Sequence, residues 1–94
     1  MFIGVVRVEL LIHGSSSLKE KRAVLRRIKD RASSRHNLSV SEVGFQDLRQ
    51  RAVLGFAAIR SSRNDLARLF VRLRDEIERV LPGGILSWEE EVFT

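Results

Sequence analysis

The 94-residue sequence has no cysteine and no tyrosine, a single tryptophan and a single proline. Without cysteine there is no disulfide framework and no thiolate metal site, and the expected location is the cytoplasm. The lone proline, Pro82, leaves the longer apolar-periodic segments free to run as helices. No apolar run approaches the ~20 residues that a membrane helix needs. The N-terminal stretch MFIGVVRVELLIHG carries Arg7 and Glu9 in its middle and starts without a basic region. It reads as a strand, neither signal peptide nor membrane span. Repeats and low-complexity segments are also absent, so residues 1–94 read as one domain.

What the sequence does have is positive charge. Seventeen Lys and Arg face twelve Asp and Glu, a net charge of +5. Only Lys19, Lys21 and Lys29 are lysines; the other cations are arginines, whose planar fork suits bidentate phosphate contacts. A basic balance permits nucleic-acid binding without establishing it.

Periodicity supplies the architecture. Residues 2–13 alternate, with Phe2, Gly4, Val6, Val8, Leu10 and Ile12 on one side and Ile3, Val5, Arg7, Glu9, Leu11 and His13 on the other. Ser17-Leu18-Lys19-Glu20 fits a capping box. Leu18, Val24, Leu25, Ile28 and Ala32 then recur at helical spacing, predicting a helix from Leu18 to about Ser34 with Asn37 near its C-terminal end. Leu38–Val43 and Ala52–Arg60 read as strands. A second helix, capped by Ser62 or Asn64, carries an apolar stripe from Leu66 to Leu81 and stops at Pro82-Gly83-Gly84. Ile85–Phe93 is the last strand. The order β-α-β-β-α-β predicts an α+β, ferredoxin-like sandwich: a four-stranded antiparallel sheet with two helices on one face. Its open face would show Ile3, Val5, Leu11, Val53 and Ile59, more apolar surface than a solvated face carries.

Within the first helix, Lys19, Arg22, Arg26 and Lys29 fall in one stripe, and Arg27 and Arg31 lie on the other flank. A charge run ordinarily means a solvated face; a phosphate backbone would relieve its like-charge repulsion and release counterions. Lys21 differs, because its angle places it beside Leu18, Leu25 and Ile28, where it either snorkels to the sheet edge or enters a pocket. The connection GFQDLRQRA packs Gln46, Asp47, Arg49, Gln50 and Arg51 next to a strand, a density suited to recognition or to satisfying a long turn.

No metal ligands recur at a usable spacing, no nucleophile–base arrangement occurs, and GSSS lacks the Lys-Ser/Thr ending of a phosphate loop. No cofactor and no enzyme activity are expected; an acylphosphatase-like reaction is disfavoured because Asn37 and Asn64 lack an arginine partner in a suitable loop. The third strand has Ala58 where an RNA-recognition sheet wants an aromatic. RNA binding would therefore fall to the basic helix and loops.

GSSSLKEKRAVLRRIKDR together with SVSEV…QDLRQRAVLG resembles the YlxP-like family of small bacterial proteins of unknown function. The resemblance covers nearly the whole chain. It rests on Ser17, Leu18, Lys19, Glu20, Lys21 and Arg22, and on Gln46, Asp47, Leu48, Gln50, Arg51 and Ala52. It implies a ferredoxin-like fold, and a gene neighbourhood of translation-initiation and ribosome-maturation factors implies a role near the ribosome or its RNA. The resulting expectation is an RNA-binding or ribosome-associated factor. Lys19, Arg22, Arg26 and Lys29 would contact phosphate, with Lys21, Arg49 and Arg51 at a secondary edge. A homodimeric interaction module working through the open sheet face is the alternative.

Overall fold

The computed structural model describes residues 1–94. Its elements run β1 (Phe2–Leu11), α1 (Leu18–Arg35), β2 (Ser39–Gly44), β3 (Arg51–Arg60), α2 (Arg63–Val80) and β4 (Ile85–Phe93). The sheet order is β2-β3-β1-β4, with antiparallel neighbours throughout. This is the ferredoxin-like arrangement that the element order predicts.

Strand alternation divides the sheet as expected. Val6, Val8 and Leu10 of β1 and Ala52, Leu54, Phe56 and Ala58 of β3 share a core with Leu25 and Ile28 of α1 and Leu66, Leu69, Phe70, Leu73 and Ile77 of α2. Full burial of each large side chain contributes about 1.5–3 kcal/mol. Gly4 sets the depth at which α2 docks. A Cβ there would lie 2.6 Å from Phe70 Cζ and 2.8 Å from Leu66 Cδ2, so any larger residue would force those two side chains of α2 to shift.

Both helices start as the sequence predicts. Ser17 Oγ accepts from Glu20 N at 3.1 Å, while Glu20 reaches back to Ser16 N at 2.7 Å and Ser16 Oγ at 3.0 Å. The second cap is Ser62, not Asn64: Ser62 Oγ accepts from Asp65 N at 3.1 Å. At the end of α1 the capping position is His36, not Asn37, since His36 N continues the helical ladder to Ala32 O while its own backbone is already extended.

The open face corrects one expectation. Val53 is only 1% exposed, although it lies on the side away from the helices. Its partners are Glu9 on β1 and Gly44 on β2, and a register shift falls between Glu42 and Gly44. A Cβ at Gly44 would sit 3.1 Å from Val53 Cγ2, so the valine packs against bare β2 backbone. Ile3, Val5 and Leu11 are half-buried and Ile59 is exposed.

Candidate nucleic-acid interface

The basic stripe becomes one wall of a groove. β2 is an edge strand, and α1 lies alongside it. Arg22, Arg26 and Lys29 face Val40 and Glu42 of β2 across a depression of ≈ 570 Å³, with Leu25 at its base. Lys19 is exposed one turn earlier on the same stripe. Asp30 and Glu42 are the acids of the groove. Glu42 is already occupied, so the three cations outweigh the one free carboxylate.

What occupies Glu42 is Lys21. This lysine is 1% exposed, which removes it from any phosphate-binding surface and corrects its place among the candidate contacts. Its Nζ donates to Phe45 O and to Leu48 O, each at 2.7 Å. Glu42 Oε2 lies 2.9 Å away as an ion pair, its alignment being too poor for a hydrogen bond. A buried ammonium persists because carbonyls and a carboxylate replace its water. Lys21 therefore ties α1 to the turn between β2 and β3.

The two motif segments join in one place. Arg49 Nη1 donates to Ser16 O at 3.1 Å, Gln50 Nε2 to Ser15 O at 3.2 Å, and Ile12 N to Gln50 O at 2.8 Å. Gln46 Nε2 reaches Glu42 O at 3.3 Å, and Asp47 is exposed. The 44–51 connection is thus a rigid hairpin end braced against the β1–α1 loop, and several of its polar groups satisfy backbone. Arg51 is held by Glu9 at 2.5 Å and lies over the Phe45 ring, 5.3 Å from its centroid. Phe45 has φ 56, the left-handed region, as the only non-glycine residue that does.

Sequence reading missed a second polar site. His36 Nε2 lies 2.6 Å from Glu76 Oε1 between α1 and α2. Arg35, Arg72, Asp75 and Arg79 complete that cleft. Two signals pointed to it: Glu76 interrupts the apolar stripe of α2 between Leu73 and Ile77, and Arg68, Arg72 and Arg79 recur at helical spacing on one flank. Arg68 pairs with Asp65 one turn earlier. Arginines thus line the helical layer as well as the α1/β2 groove.

The fold and its braced hairpin define a small ferredoxin-like protein with a basic outer helix. The family described as "Protein of unknown function (DUF503)" matches residues 3–89, and the chain belongs to it. It is 46% identical over 79 residues to the uncharacterized protein YlxP of Bacillus subtilis (strain 168), covering 84% of this chain and 78% of that one. Among solved structures it is similar to a de novo designed protein with ferredoxin fold: TM-score 0.59, 12% identity, 100% of this chain and 86% of the other. SnoaB, a cofactor-independent oxygenase from Streptomyces nogalater, gives TM-score 0.53 at 15% identity, covering 99% and 91%. At such identities the two structures share the fold alone. No helix here is long and apolar enough to cross a membrane.

Proposed function

We propose that this protein binds RNA as an accessory factor of the ribosome, with the α1/β2 groove as its interface. The observation that carries the reading is the alignment of Arg22, Arg26 and Lys29 along one wall of a groove in which Glu42 is neutralised by the buried Lys21 and Asp30 alone opposes them. Three cations at helical spacing repel one another and gain by meeting a polyanion. Lys19 extends the track at one end, and Arg49 and Arg51 flank the hairpin beyond it. Ribosomal RNA is the target that the family's gene neighbourhood implies. The test is binding to ribosomal RNA across a salt series. Affinity should fall steeply with salt, and the double variant Arg22→Glu/Arg26→Glu should lose most of it and flatten the slope. An affinity flat in salt, or one untouched by the double variant, overturns the reading.

A second reading rests on the open sheet face. Phe93, Ile3 and Ile59 stand side by side across β4, β1 and β3, and Val5 pairs with Ala57 in the next row but one along the strands. Phe93 and Ile59 are exposed. This apolar end of the sheet suits a second copy of the chain. It leaves the α1/β2 groove on the outside of the dimer.

A further inference from the structure

Phe45 stands in a backbone conformation that costs a bulky residue energy, at φ 56, yet the residue stays 42% exposed. The surrounding structure enforces this. The Phe45 carbonyl accepts from the buried Lys21 Nζ at 2.7 Å and from Leu48 N at 3.0 Å. The ring itself is fixed from one side: Arg51 lies over it, and Glu9 holds Arg51 at 2.5 Å. The ring's exposed surface is thus a rigid aromatic plane backed by a guanidinium. It sits three residues beyond Glu42, at most about 10 Å further along the strand than the end of the basic groove. The ring stands with Arg51 and Glu9 on the side of the sheet away from α1, so a strand leaving the groove reaches it by crossing the edge strand β2; charge for the backbone and a ring for a base are what single-stranded nucleic acids require.

We propose that Phe45 is a stacking platform for an unpaired base, and that the ligand of the groove is single-stranded RNA. The inference rests on the groove reading and narrows it. A duplex keeps its bases stacked and offers the ring nothing; a single strand leaving the groove can lay a base on it. Leu48, in the same hairpin, is also exposed.

The experiment compares an unstructured oligouridine RNA with a duplex RNA of the same length. Wild type should bind the single strand more tightly. Phe45→Ala should weaken single-strand binding about tenfold or more and leave duplex binding unchanged. Phe45→Gly is the control for folding, because glycine adopts φ > 0 freely; it should keep the fold and show the same loss. Phe45→Trp should retain binding, and its emission should be quenched by the RNA above the constant background of Trp88. If the alanine and glycine variants bind the single strand like wild type, or the tryptophan does not respond, the platform is overturned. In that case a loss confined to Arg22→Glu/Arg26→Glu leaves the groove reading standing. If wild type binds neither RNA, both readings fall and the hairpin tip is better explained as a protein contact.

Discussion

The residue that most changes meaning between sequence and structure is Lys21. In the sequence it is one cation among seven in residues 19–31. In the structure it is the only one of them that is fully buried, and its partners are 21 to 27 positions away in the chain. Removing the ammonium would leave the Leu48 carbonyl and a largely buried carboxylate without their donor, while the Phe45 carbonyl would keep only Leu48 N. Lys21→Met, which keeps the apolar stem, should therefore cost about 2–4 kcal/mol, read as a lowered urea midpoint. Lys21→Met/Glu42→Gln should recover part of that loss, because no charge is then left unpaired. Equal stability of wild type and Lys21→Met would show that the clamp is not structural. The exposed neighbours Arg22 and Arg26 carry no such penalty, so their reversal tests binding without threatening the fold.

At the scale of the element, α1 performs two tasks on two sides. Its inner side, Leu25, Ile28 and Ala32, closes the core, and its flank toward β2 carries Arg22, Arg26 and Lys29. Its first turn is closed by Glu20, whose carboxyl is held below the ordinary carboxylate range by the Ser16 backbone N–H and then by the Ser16 hydroxyl. The charged form is the one the fold prefers. Its contribution is complete above the unfolded carboxyl's pKa and is lost as pH falls through the lowered folded value. Thermal melts should show wild type above Glu20→Gln at neutral pH, with the gap closing on acidification below the ordinary carboxylate range. A gap independent of pH would mean that charge plays no part in the cap. The existence of this box was legible in Ser17-Leu18-Lys19-Glu20, because capping is a contact between residues three apart. So was the basic stripe, since helical angle follows from spacing alone. The groove was not, because its second wall is β2, and which strand lies beside α1 depends on sheet order.

Across the whole molecule, charge is separated by topology. The order β2-β3-β1-β4 puts the basic α1/β2 side at one edge of the sheet and Glu89, Glu90 and Glu91 of β4 at the other. An acidic outer strand discourages edge-to-edge association, and the opposed charges would orient the molecule toward a polyanion. Self-association is thereby directed to the open face. If the second reading holds, sedimentation at high concentration should show a dimer that Ile59→Asp disperses while the melting temperature changes little, Ile59 being exposed in the single chain. A wild-type protein that stays monomeric at high concentration removes that reading and leaves the RNA interface unaffected.

The sequence by itself determined the six elements, their inner faces, the Ser17 cap and the cationic flank of α1, and narrowed the second cap to Ser62 or Asn64. Each of these depends on residues within a few positions of one another, where period and chemistry suffice. Only the tertiary structure decided that Lys21 is a clamp, that Val53 is covered by the bare backbone of Gly44, that His36 meets Glu76 forty residues away, and that Phe45 is held in a left-handed turn with its ring outward. These depend on register and strand order, which bring distant side chains within a few ångströms. The signs that local patterning carries, a lysine on an apolar side or a glutamate within an apolar stripe, mark where such partners are needed without naming them.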